Sequence, residues 1–194
     1  MRIDFHFTPD QVDEIALREK YVVVIDVLRS STTIAAALTN GAREIIPVAS
    51  LERAVNVAGG QVGDLIIRGG ERNGRMIEGF TLGNSPREYT EEKVKGKGIL
   101  FTTSNGTLAI EKARFAKGLA ICGFVNMSRV VKFLSTWKMT SWSFALAATE
   151  CSPLRIQCVP ACFCATLLTG GVTPISRTAH LQPYRYSRAS ARTS

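Results

Sequence analysis

The feature that most constrains the fold is the stretch from Tyr21 to Ala42, YVVVIDVLRSSTTIAAALTNGA. Its first part, YVVVIDVL (Tyr21 to Leu28), is a short, almost unbroken apolar run rich in Val. Such a run predicts a strand buried on both faces of an α/β sheet. The hydroxyl residues Ser30 to Thr33 are placed to cap a helix, Ala and Leu extend it, and Asn40-Gly41 stops it. A second strand, REIIPVAS (43 to 50), ends at Ser50, the expected cap of a helix LERAVNVAG (51 to 59). Strand, helix, strand, helix is the rhythm of an α/β chain.

The rhythm returns in GILFTTSNGTLAIEKARFAKGLAICGF (98 to 124), which reads as strand, polar loop, helix and strand. Setting Thr33 over Thr107 pairs TIAAA with TLAIE, an internal echo. Between the two units lies IIRGGERNGRMIEGFTLGNSPREYT (66 to 90), dense in Gly, Asn, Glu and Arg. It reads as too polar and Gly-rich for regular structure, and a loop of that length in a compact domain is more often functional than idle.

The net charge of +8 invites a nucleic-acid reading until it is divided along the chain. Residues 1 to 134 carry 18 basic and 15 acidic side chains, and residues 135 to 194 carry 6 and 1. The excess is concentrated in the last third, among Ser, Thr and Pro, and forms no patterned basic face with interleaved aromatics; nucleic-acid binding is not expected. No apolar run reaches the roughly 20 residues of a membrane span, and no secretory leader pattern opens the sequence, so a cytoplasmic protein is expected. After about Ser135 neither a 3.6 nor a 2.0 periodicity persists. Both tryptophans and four of the five cysteines fall there.

Ligands of α/β sheets bind beyond the carboxyl ends of the strands. Three polar segments meet that description. In DVLRSSTT, Asp26 closes a strand, Arg29 stands in the loop, and Ser30, Ser31, Thr32 and Thr33 lead into a helix whose dipole favours an anion. In TTSNGT the same logic applies to Thr103, Ser104, Asn105, Gly106 and Thr107. The long loop adds Glu71, Arg72, Asn84 and Ser85. Carboxylates, guanidinium groups, hydroxyls and amides together suit phosphate and metal chemistry. The alternatives are structural: hydroxyl residues before a helix are often only caps, Asp26 could bond a loop amide, and Glu71 and Arg72 could form an exposed pair. Neither nucleotide-binding glycine motif is present. Cys122 reads as a buried strand residue. The cysteine cluster Cys151, Cys158, Cys162 and Cys164 lacks the paired spacing of a structural zinc site.

At these residues the chain resembles a known family. VVVIDVLRSSTTIAAALTNGAREIIPV, GGERNGRMIEGFTLGNSPREYT, GKGILFTTSNGTLAIEKA and FVNMSRV are similar, in order and spacing, to the 2-phosphosulfolactate phosphatase family. The resemblance covers about Val22 to Val131. It implies a three-layer α/β/α fold with a mostly buried mixed sheet and Mg²⁺-dependent hydrolysis of 2-phospho-3-sulfolactate, a small anionic phosphate ester, in the route to coenzyme M. On that reading Asp26 and Glu71 hold Mg²⁺, which polarises the phosphoryl group and activates a water. Arg29 and Arg72 clamp oxygens of the substrate. Ser31, Thr32, Thr33, Asn84, Ser85 and the Thr103 to Thr107 loop donate or accept the remaining hydrogen bonds. Asp26 as a covalent nucleophile is the runner-up mechanism, and a non-catalytic anion- or nucleotide-binding α/β module is the alternative function. Oligomeric state stays open, a homo-oligomer included.

The family continues past this point with a strand ending in Cys-Ala-Gly and, later, an acidic pair before a second Cys-Ala-Gly. Neither occurs in this chain. Reading one base out of frame, with the third base of one codon joined to the first two of the next, Trp137-Lys138 gives Glu and Met139-Thr140 gives Asp. Trp142-Ser143 then allows Val, and Phe144 to Ala148 allow Cys-Ala-Gly; Gln157 to Ala161 allow it again. The expectation is an incomplete phosphatase-like domain over 1 to 134 and an out-of-frame, poorly structured tail over 135 to 194. Such a chain would be poorly soluble and its activity impaired.

Overall fold

The computed structural model describes residues 2–50, 65–135 and 141–146. Eight strands, β1 (Arg2–His6), β2 (Tyr21–Ile25), β3 (Glu44–Pro47), β4 (Ile66–Arg72), β5 (Arg75–Met76), β6 (Gly98–Thr102), β7 (Gly118–Cys122) and β8 (Ser141–Leu146), alternate with four helices. The helices are α1 (Ser30–Thr39), α2 (Glu91–Val94), α3 (Gly106–Lys112) and α4 (Met127–Ser135). The expected α/β alternation is present from β2 through β3 and again from β6 through β7. The helix expected over 51 to 59 and the cysteine cluster lie outside the described residues.

The strands divide into two sheets of four, where the sequence reading has one mixed sheet. The first has the order β1-β8-β2-β7, all parallel. The second has the order β3-β6-β4-β5, parallel except for the antiparallel β4–β5 hairpin. α1 leaves β2 of the first sheet and leads to β3 of the second; α3 leaves β6 of the second and leads back to β7 of the first. The helices between them tie the sheets into one core.

Strand alternation sorts the side chains. Val22 and Val24 of β2 join Ile99 and Phe101 of β6, Ile34 and Ala37 of α1, and Ala109 and Ile110 of α3 in the central cluster. Val23 and Ile25 face the other way, onto Val130, Val131 and Leu134 of α4. Leu100 turns from the central cluster to Val48, Ile77 and Phe80. Both faces of β2 and β6 are therefore buried, as near-continuous apolar runs require.

Two segments depart from the sequence reading. The Gly-rich stretch from 66 to 90, read as irregular, contains β4 and the β4–β5 hairpin. Its glycines suit a crowded strand: a Cβ on Gly70, whose φ is +136°, would overlap the Thr102 carbonyl oxygen on β6. β8 lies beyond the boundary expected after residue 134 and pairs on both sides, Trp142 with Ile3 and Tyr21, Phe144 with Phe5 and Val23. The rest of the expected tail lies outside the described residues.

Candidate active site

The carboxyl ends of β2, β4 and β6 each deliver a candidate group. Asp26 follows β2 directly and is 2% exposed; Glu71 is the penultimate residue of β4 and is 4% exposed. Ser30 Oγ, in the first turn of α1, donates to Asp26 Oδ2 at 2.7 Å. Burial pushes the Asp26 carboxyl up to about 6, against the hydrogen bonds from Ser30; the Glu71 charge raises it further and Arg29 lowers it. Two carboxylates from different sheets thus share one electrostatic neighbourhood.

Glu71 is held by the neighbouring loop. Ser104 donates from its backbone amide to Oε1 at 2.8 Å and from its hydroxyl to Oε2 at 3.2 Å. The Gly74 amide donates to Oε2 at 2.7 Å, and the Asn73 amide donates to Ser104 Oγ at 3.1 Å. The β4–β5 turn and the loop after β6 are therefore joined through one carboxylate. Arg72 braces the same junction: Nη1 donates to Thr103 O at 3.3 Å, and Nη2 donates to Ala49 O at 3.1 Å and Thr102 Oγ1 at 3.2 Å.

Most of the hydroxyl residues singled out in the sequence have internal partners. The Asp26 amide donates to Ser31 Oγ at 2.8 Å, and Thr32 Oγ1 donates to Val27 O at 2.9 Å. Thr33 Oγ1 lies 3.2 Å from Arg29 O and 3.1 Å from Asn84 O, linking α1 to the segment after β5. Thr103 and Thr107 exchange bonds: each amide donates to the other's Oγ1, at 3.0 and 3.1 Å, and Thr107 Oγ1 donates to Thr103 O at 2.9 Å. That reciprocal pattern fixes the start of α3. The echo between Thr33 and Thr107 thus has a structural counterpart, since each touches the carbonyl four residues earlier at a helix start.

Groups without such partners are fewer. Arg29 is half-buried beside Asp26, and its guanidinium has no hydrogen bond or ion pair among the described residues. Asn84 is 6% exposed, and its Oδ1 is a buried acceptor with no partner among the described residues. Ser85 opens the turn Pro86–Glu88 and is half-buried. Asn105, which precedes α3, is half-buried too but is not one of these groups, since it has a partner of its own. The sequence reading placed Ser30 at the helix start but missed its bond to Asp26, and the signal was its place four residues after a strand-ending Asp. Gly106 packs against this pair, since a Cβ there would overlap Ser30 Oγ and come within 2.9 Å of Asp26 Oδ2.

Among the described residues, no three His, Cys, Asp or Glu side chains gather to hold a metal ion, and no helix is long and apolar enough to cross a membrane. A magnesium ion does not need three: it is commonly bound by one or two carboxylates together with waters and substrate phosphate. A buried pair of like-charged carboxylates, Asp26 and Glu71, fits that donor set.

The profile described as 2-phosphosulpholactate phosphatase matches residues 6–150. A protein of Caldanaerobacter subterraneus subsp. tengcongensis, named "Probable 2-phosphosulfolactate phosphatase", is 44% identical over 135 residues, 70% of this chain and 56% of the relative. Proteins of the same name from Clostridium tetani and Clostridium beijerinckii are 38% identical over 167 residues and 43% identical over 134. These matches cover 82% and 69% of this chain, and 71% and 56% of the relatives. The chain therefore spans little more than half the length of several relatives it matches. With the profile covering most of its length, the chain belongs to the 2-phosphosulfolactate phosphatase family.

Proposed function

We propose that the chain carries a Mg²⁺-dependent phosphatase site that hydrolyses a small, multiply anionic phosphate ester, 2-phospho-3-sulfolactate or a close analogue, to the alcohol and phosphate. The observation that supports this best is the joint burial of Asp26 and Glu71 at the ends of strands from two sheets, beside an uncommitted Arg29. Asp26 and Glu71 would hold the ion, which when bound polarises the phosphoryl group and lowers the pKa of a water. Arg29 offers a planar donor for phosphate, carboxylate or sulfonate oxygens and offsets their charge. Asn84 Oδ1 offers a buried acceptor to a donor on the ligand or to a bound water. Arg72 and Ser104 serve the site by holding Glu71 and the loop after β6, and Thr103 and Thr107 by fixing that loop's entry into α3.

The site's completeness is a separate question. We infer that residues from about Ser135 onward are translated out of frame, because the two Cys-Ala-Gly segments and the acidic pair of the family are missing there and are recoverable one base away. Sequencing the coding DNA tests it: a single-base change near codon 136 that fails to restore the pattern sinks it.

Phosphate release from 2-phospho-3-sulfolactate by the full chain, with Mg²⁺ and with chelator, tests the activity. Release that depends on Mg²⁺ and is lost in Asp26→Asn is the expected result. Ligand binding without release would favour the non-catalytic module.

A further inference from the structure

Ser30 Oγ, 2.7 Å from a buried carboxylate, has the spacing of a nucleophile and its base. Its surroundings give it another role. Ser30 is 1% exposed, and the first residue of α3, Gly106, closes over it so tightly that an added Cβ would overlap the hydroxyl. The same Cβ would lie 2.9 Å from Ser30 Cβ and from Asp26 Oδ2. A phosphorus atom needs more room than a methyl group, so no substrate reaches this oxygen in line. The hydroxyl faces Asp26 alone, and the helix start of the opposite sheet's β6–α3 unit keeps it there.

We propose that Ser30 and Gly106 form a positioning pair for Asp26: the missing side chain at 106 seats α3 against Ser30, and the Ser30 hydroxyl fixes the carboxylate through Oδ2 so that it meets its ligand in one orientation. The inference rests on Asp26 being a ligand of the divalent ion. Groups that orient a metal-binding carboxylate typically contribute 10- to 100-fold in metal affinity. The pair also couples the sheets, because Ser30 follows β2 of the first and Gly106 follows β6 of the second. Neither residue touches the substrate in this assignment.

Mn²⁺, a stand-in for Mg²⁺ with a paramagnetic signal, is titrated into the full chain and into Asp26→Asn, Ser30→Ala, Gly106→Ala and the double variant, with a urea melt of each. The unmodified chain is expected to bind Mn²⁺ and Asp26→Asn to lose it. Ser30→Ala and Gly106→Ala should each weaken binding by roughly 10-fold or more, and the double variant should fall short of the product of the two effects. Ser30→Ala removes one oxygen and decides the matter even where Gly106→Ala does not fold. Unchanged Mn²⁺ affinity in Ser30→Ala, beside its loss in Asp26→Asn, overturns the positioning role and leaves the metal reading standing. A Ser30→Ala chain without a cooperative melt assigns the hydroxyl to the fold and overturns it as well. Absence of Mn²⁺ binding by the unmodified chain, or full binding by Asp26→Asn, overturns the metal reading and the positioning role with it.

Discussion

On the proposed reading Asp26 carries opposite demands, because a carboxylate that suits a divalent ion is costly to bury without one. Its folded-state value of about 6 lies above that of an unfolded aspartate, mainly through burial. Its contribution to stability is thus fully present below roughly pH 3.9 and is lost as the pH rises through about 6. In chelator at pH 8, Asp26→Asn should therefore stabilise the chain by about 2 to 3 kcal/mol while removing Mg²⁺-dependent phosphate release. Urea melts at pH 4 and pH 8 check the sign, since the gain should shrink at the lower pH. Cys122 is the simpler case. Fully buried in β7, its thiol is pushed up to about 12 by burial, so it should resist alkylation at pH 8 in the native chain and react once urea unfolds it. Both residues were legible in the sequence by type and position. Ser30 was not, because a serine ahead of a helix reads as a cap until the carboxylate beside it is seen.

At the scale of elements, β2, β6 and α1 were readable because burial on both strand faces and helix capping leave strong local patterns. β4 was not. Its sequence IIRGGER looks like a loop, yet its glycines let it pass close to its neighbours in the second sheet. Gly70→Ala should break the β4–β6 pairing, because the new Cβ would overlap Thr102 O and Gly70 has a φ of +136°. A loss of about 3 kcal/mol or more in a urea melt is expected, with release of Glu71 from Ser104 and hence loss of phosphate release. Phe101 gives a packing counterpart: fully buried and in edge contact with Tyr89 at 6.2 Å, it should cost roughly 3 to 5 kcal/mol when cut to Ala.

For the molecule as a whole, β8 is the telling element, since it stands between β1 and β2 and β1 has no other strand partner among the described residues. Ending the chain at Ser135 should leave β1 without a neighbour and expose the edge of β2, so the shortened protein should lose its cooperative melt and aggregate. Restoring the reading frame near codon 136 should instead raise soluble yield and Mg²⁺-dependent phosphate release above those of the 194-residue chain; equal values would count against the frame break. By itself the sequence determined the α/β alternation, the family, and the residue types at the strand ends, because burial periodicity, caps and motif spacing are local properties. Only the tertiary structure decided that two sheets share one core, that Glu71 and Arg72 belong to a strand, and that Ser30, Asp26 and Gly106 meet. Apart from the bond between Ser30 and Asp26, four positions apart, those contacts join residues about 30 to 80 positions apart, and their distances depend on how the two sheets pack around α1 and α3.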